Sequence, residues 1–444
     1  MNFDTLIARN LRHVWHPLSI MKNFEKFPPL VVTRAQGSYI ETNQGKLIDG
    51  IASWWCKSMG HGHPAILDAI RAQLDCFEHV MPAGTTHPNL VALAEALAEL
   101  SHKQHVFFAS DGACAVEIAL KLTIQATALK GQPERNQVIA LKNGYHGETL
   151  GALSVSDIDI YKHAWDGLGV RCHFIDPLPY VNDQQDPIWS DAQDHWSTVL
   201  PQLERIKSQV CAVIVEPIIQ GANGLRLYSA DFLAKLADFA KKNDIYFIAD
   251  EIMTGLGRTG SWFASEYAGI DPDMICLSKG LTSGTIPMSC VLIDHAIYEL
   301  FYHERDLKRC FIHSHTYSGN ALAIAAALAT IQTMRSENIP QQAQALGDYM
   351  TGHFKAAIQP SGQFTNLRTL GAIVAADYQG PNSHQFSRAL ATAAQKAGAL
   401  LRPIGPTLYW FPPLNTSQQT IDDLAAITER AIKSALQNLT PCTA

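Results

Sequence analysis

Six short apolar runs rich in β-branched or aromatic residues recur along the chain with helical stretches between them, and no other feature constrains the fold as much. They cover 106–109, 138–142, 212–216, 245–250, 274–278 and 288–293. Runs this short, with no polar face, predict strands buried on both sides. Most are separated by enough chain for a helix, as at 115–128 and Ala230–Lys242. That alternation predicts an α/β fold with a mostly parallel sheet. Ligands of such sheets gather at the carboxyl ends of the strands, so functional residues are sought there.

With 444 residues the chain exceeds what one core usually serves. The expected division is a large domain at 61–335, a smaller α+β domain at 336–444, and an amino-terminal segment, 1–60, that joins the small domain. The pattern changes near 336–340, after an Ala-rich stretch, and short strands at 371–376 and 408–411 then alternate with helices. The polar, proline-bounded segment 177–187 predicts a surface excursion within the large domain.

Hydrophobic residues at 47% and charged residues at 17% fit a globular enzyme and exclude a disordered chain. The net charge of -7, without a run of Lys or Arg, argues against nucleic acid as a partner. The Ala-rich run 321–331 falls short of the roughly 20 residues a membrane span needs and predicts a buried helix. Residues 1–15 mix Asp4, Arg9, Arg12 and His13 with apolar residues and lack a secretory core. Nine cysteines without a CxxC pair suit reduced thiols, and a cytoplasmic location is expected.

Two strand ends carry the sharpest chemistry. Asp250 closes the run 245–250. A carboxylate there is costly unless a cation meets it, and a protonated pyridine nitrogen is such a cation; the alternative is a cap on the following turn. Lys279 follows the run 274–278 and precedes Gly280-Leu281-Thr282-Ser283-Gly284. An amine so placed, partly desolvated, would supply the neutral nucleophile of a Schiff base; the alternative is a solvated surface lysine.

Other strand ends are less specific. Ser110-Asp111-Gly112-Ala113-Cys114 joins a strand to a helix, and its N–H groups are suited to a phosphate if Asp111 points away. Tyr145, after the run 138–142, offers a ring to stack on a planar group or to fill core. Glu216-Pro217 ends another strand, where the carboxylate either reaches a ligand or caps a turn. The pairs His61 with His63 and His313 with His315 lack a third ligand at helical spacing, so turn and packing roles are expected and no metal site.

Taken in order, Gly112, Tyr145-His146-Gly147, Glu216-Pro217, Asp250-Glu251, Gly255-x-Gly257-Arg258-Thr259-Gly260, Ser278-Lys279-Gly280 and Thr316-Tyr317-Ser318-Gly319-Asn320 resemble the class III aminotransferases, pyridoxal-phosphate (PLP) enzymes of fold type I. The resemblance spans nearly the whole chain. It implies PLP as cofactor, a Schiff base at Lys279, and Asp250 on the pyridine nitrogen. It further implies cofactor contacts from Gly112, Ala113, Tyr145, Glu216 and Thr316 of the partner subunit, and hence a homodimer with shared sites. Trp15-His16-Pro17, Asp49-Gly50 and Ser53-Trp54-Trp55 are similar to the branch that moves an amino group from S-adenosylmethionine to 8-amino-7-oxononanoate in biotin biosynthesis.

By that resemblance Trp54 and Tyr145 help form the substrate pocket beside Lys279, and Arg402 binds the carboxylate of the keto acid. A guanidinium grips a carboxylate by two parallel hydrogen bonds, and the apolar neighbours Leu400, Leu401 and Ile404 suit a dry wall around it; the alternative is a rim arginine with its stem packed on those neighbours. Two positions depart from the family's pattern: Leu18 stands where a tyrosine is common, which leaves the donor open, and Ala113 where a hydroxyl is common. Rival readings are another class III enzyme with a lysine or ω-amino acid donor, a PLP protein without catalysis, and a zinc hydrolase built on the histidine pairs.

Overall fold

A computed structural model describes residues 2–304 and 306–439. Its central sheet has seven strands in the order His105–Ala109, Ser289–Ile293, Met274–Leu277, Tyr246–Asp250, Val210–Val215, Gln137–Leu141 and Cys172–Ile175. All six expected runs lie in it, with ends displaced by a residue or two. The seventh, Cys172–Ile175, is an edge strand and only partly buried, so it has no need of an unbroken apolar run. From Met274–Leu277 to that edge every pairing is parallel, while Ser289–Ile293 runs antiparallel to both neighbours. Parallel direction brings the ends of three neighbouring strands, and hence Asp250, Glu216 and Lys279, to one rim.

Helices cover the sheet where their apolar faces meet it. Gly112–Leu129 has the length and apolar content of a membrane-crossing helix. Yet Ala115, Val116, Ile118, Ala119 and Leu122 are buried with sheet residues such as Ile214 and Ile248. The Ala-rich stretch is the helix Ala321–Ser336, which packs against Pro64–Leu74 and Pro88–Ser101, its small side chains permitting close approach.

The first strands fold back on the end of the chain. Gly45–Asp49 pairs antiparallel with Tyr39–Thr42 and parallel with Ala399–Leu400, and Ser38 Oγ lies 2.8 Å from Thr416 Oγ1. A second sheet joins Phe364–Thr369, Val374–Tyr378 and Thr407–Trp410. The strand expected at 371–376 starts three residues later because Gly371, at φ +50, forms a turn in which a Cβ would fall 2.2 Å from the Thr259 carbonyl carbon. The excursion 177–187 is anchored, since Tyr180–Val181 pairs with Arg226–Tyr228.

Candidate active site

Asp250 ends its strand almost fully buried, caps the following turn and has a second bond to a histidine. Oδ1 accepts a hydrogen bond from Ile252 N at 3.2 Å, the turn cap, while Oδ2 lies 2.7 Å from His146 Nδ1. A carboxylate only accepts, so the His146 proton on this bond sits on Nδ1; His146 Nε2 is buried without a partner. Asp250 lines a cavity of about 310 Å³ together with Lys279, Glu216, Tyr145, Gly112 and Ala113.

Lys279 lines the same cavity. Its backbone is left-handed, at φ 41, directly after the extended Ser278, whose Oγ donates to Met288 O at 2.8 Å. The kink turns the side chain inward. Desolvation pushes its ammonium below the usual lysine range, opposed by the negative charge of Asp250 and Glu216 and by Cys56. Its Nζ lies 5.2 Å from the Trp55 ring centroid, and among the described residues it has no hydrogen bond or ion pair.

Glu216 is a brace. Its Oε1 accepts from Tyr145 N at 2.9 Å and its Oε2 from Gly221 N at 2.8 Å. Burial pushes its carboxyl up to about 7; His146 opposes the shift and Asp250 adds to it. Tyr145 is half-buried, its ring 5.3 Å from that of Tyr161 and its phenol donating to Glu148 Oε1 at 2.9 Å. Burial, then Glu148, raises the phenol's pKa, so it stays protonated.

The helix Gly112–Leu129 starts at the cavity. Asp111 caps it, accepting from Cys114 N at 3.0 Å, and so turns its charge onto its own first turn. The N–H groups of Gly112 and Ala113 remain to meet an anion. Gly147 is required beside them: at φ +127, a Cβ there would come within 2.6 Å of the Ala113 Cβ.

The wall is less regular. Ala52, Ser53, Trp54 and Trp55 all have positive φ, between 46 and 73. They form a left-handed turn closed by Trp55 N to Ile51 O and Cys56 N to Ala52 O, each 2.9 Å. Such a conformation costs an L-residue about 1–2 kcal/mol. Trp55 lines the cavity, where its Nε1 donates to Tyr409 Oη at 3.3 Å. Trp54 does not line it; its exposed ring carries Arg402, whose guanidinium carbon is 4.2 Å from the ring centroid. Arg402 is exposed in the single chain, so the dry wall expected around it is absent there. Behind Trp55, Arg258 is buried over Phe411, with Nη2 free of any protein partner, and desolvation pushes it down to about 9.

Two expected residues lie elsewhere. Thr316 is exposed and lines a separate cavity of about 960 Å³ with His313 and His315. Leu18 is exposed on its own turn. His61 bonds Asp49 and Ser53, and His313 Nδ1 lies 2.8 Å from Lys121 Nζ. Among the described residues no three His, Cys, Asp or Glu side chains gather as a metal site. His146, Glu148, Trp55, Ile252 and Met253 are among the lining residues to which sequence reasoning gave no role. A buried carboxylate at Asp250 was the one signal pointing to a partner such as His146.

The residues fit PLP on two observations: an amine with no partner among the described residues shares one cavity with a held carboxylate, and a helix starts at that cavity. The pattern of the family described as Aminotransferase class-III matches residues 20–432. The chain belongs to the class III aminotransferase family. This aminotransferase is 36% identical to the adenosylmethionine-8-amino-7-oxononanoate aminotransferase of Helicobacter pylori over 96% of this chain and 97% of that protein. It is 35% identical to the enzyme of the same name from Synechococcus elongatus over 93% of this chain and 97% of that protein. Among solved structures it is similar to the enzyme of that name from Methanocaldococcus jannaschii, with a TM-score of 0.90, 29% identity, and 97% and 99% of the two chains covered. A PLP-bound amine transaminase from an uncultivated Pseudomonas species is 30% identical at a TM-score of 0.87, over 95% and 98% of the chains.

Proposed function

We propose that this aminotransferase uses PLP to move an amino group from S-adenosylmethionine to 8-amino-7-oxononanoate, giving 7,8-diaminononanoate for biotin synthesis in the cytoplasm. The observation that carries amino transfer is the convergence of Lys279 and Asp250 on one cavity. The substrate pair is supported by relatives that share one name over nearly their full length. Against a zinc hydrolase stands the engagement of His61 with Asp49 and Ser53.

When bound, PLP supplies the carbonyl that takes up the amino group and a ring that spreads the negative charge of the substrate carbon. Lys279 Nζ would hold the cofactor at rest and then move the proton to and from that carbon, burial disfavouring its ammonium relative to the neutral amine this needs. Asp250, fixed by the Nδ1–H of His146, would pair with the protonated pyridine nitrogen. The N–H groups of Gly112 and Ala113 would meet the phosphate. Glu216 fixes Tyr145 at the backbone, and Tyr145 orients the substrate through its ring. Arg402, steadied on Trp54, clamps the carboxylate of the keto acid.

In this reading the active unit is a homodimer, each phosphate being met also by Thr316 of the partner subunit. Thr316 lies outside the Lys279 cavity, beside the exposed Ile312 and Tyr317, which supports that arrangement. The test is product formation. Enzyme with PLP, S-adenosylmethionine and 8-amino-7-oxononanoate should yield 7,8-diaminononanoate by mass spectrometry. Product from lysine and none from S-adenosylmethionine would reassign the donor.

A further inference from the structure

The left-handed turn Ala52–Trp55 aims one tryptophan at Arg402 and the next at Lys279, and something must hold it. Four consecutive residues with side chains do not stay left-handed by their own preference. Asp49 and His61 supply the holding groups. Asp49, fully buried, takes Ser53 N at 3.0 Å and Ile51 N at 3.4 Å on Oδ1. On Oδ2 it takes Ser53 Oγ at 2.7 Å and His61 Nε2 at 2.8 Å. His61 Nε2 is also 3.4 Å from Ser53 Oγ, so one ring N–H sits between both partners. The His61 backbone is pinned in turn, exchanging two hydrogen bonds of 2.8 Å with Gly37.

Asp49 also belongs to the strand that carries Arg402's segment. Gly45–Asp49 pairs in parallel with Ala399–Leu400, with Leu400 opposite Asp49 and Gly50 N donating to Leu400 O at 3.2 Å. Trp54 and Arg402 therefore start from one pair of strand ends. The two meet only if the turn keeps its hand.

We propose that His61 is a positioning residue for the acceptor site: through Asp49 and Ser53 it locks the left-handed turn that sets Trp54 against Arg402. The inference rests on the reading of Arg402 as the clamp for the keto-acid carboxylate. Without the His61 N–H, Asp49 keeps only the turn's own donors, and Trp54 loses its fixed angle to the guanidinium. Trp55, on the same turn, has its own anchor in the bond from its Nε1 to Tyr409 Oη at 3.3 Å, so the donor half-reaction, which depends on Lys279 and Asp250, is the less affected of the two.

The experiment follows the visible absorbance of the PLP-loaded enzyme through each half-reaction separately, in His61→Phe, His61→Gln, Ser53→Ala and Arg402→Ala. For His61→Phe and Ser53→Ala the expected result is an acceptor half-reaction weakened about tenfold through half-saturation, with the donor half-reaction within about twofold of wild type. His61→Gln, which returns an N–H to the same place, should recover most of the loss. Equal losses in both halves would overturn the proposal in favour of general damage to the fold. So would an unchanged acceptor half-reaction in His61→Phe and Ser53→Ala while Arg402→Ala is impaired. If Arg402→Ala itself leaves the acceptor untouched, the clamp reading fails, and this inference fails with it.

Discussion

Asp250 and Lys279 stand at the ends of buried parallel strands, whereas Trp54 and Arg402 stand on a left-handed turn and an exposed loop. The floor is fixed by the sheet: three neighbouring strands place its groups, His146 meets Asp250 at 2.7 Å, and Glu216 ties down the backbone of Tyr145 and Gly221 at 2.9 and 2.8 Å. The wall is fixed by a few side chains acting against backbone preference. In the proposed function, steps common to all amino transfers fall to the floor and the choice of acid to the wall. Substitutions should separate the two.

The largest effect is expected on the floor. Lys279→Ala should still bind PLP but lose turnover by about 10²–10⁴-fold or more, because among the described residues no other amine lines the cavity to move the proton. Equal turnover by this variant, measured as product per enzyme, would move the chemistry away from Lys279. On the wall, Arg402→Ala should weaken use of the keto acid by roughly 10 to 150-fold, from about 1.5–3 kcal/mol for a charged hydrogen bond. The donor half-reaction should change little. A loss in both halves would erase the distinction between floor and wall.

The smallest effect is a shift in pH. Burial disfavours the Lys279 ammonium, so the reactive neutral amine appears at lower pH than for an exposed lysine. Uptake of PLP by the cofactor-free protein, followed by absorbance, should rise with pH to a midpoint below 10.5. Asp250 favours the cation, so Asp250→Asn should move that midpoint lower still. A midpoint at or above the ordinary lysine value would mean that the amine is solvated.

The sequence was most legible where the fold is most regular. Unbroken apolar runs marked six of the seven strands, and strand ends marked Asp250, Glu216 and Lys279, because parallel sheets expose those ends together. The edge strand Cys172–Ile175 escaped because an edge tolerates His173. Hydrogen-bond partners were harder to see, since the pairing of His146 with Asp250 spans 104 positions. The wall was hardest. Nothing in Ala52-Ser53-Trp54-Trp55 signals four positive φ values, because glycine, the usual marker of that region, is absent. The resemblance offered Trp54 alone for the pocket, whereas Trp55 lines the cavity and Trp54 meets Arg402. The role expected of Thr316 concerns a second copy of the chain and has no mark within one fold.

The central claim is that one cavity holds PLP on Lys279 and takes its amino group from S-adenosylmethionine. The most direct measurement is the visible and near-ultraviolet spectrum of the purified protein before and after S-adenosylmethionine is added alone. The account predicts a yellow protein whose visible band is lost on that addition and returns with 8-amino-7-oxononanoate. A colourless protein that takes up no PLP would contradict it.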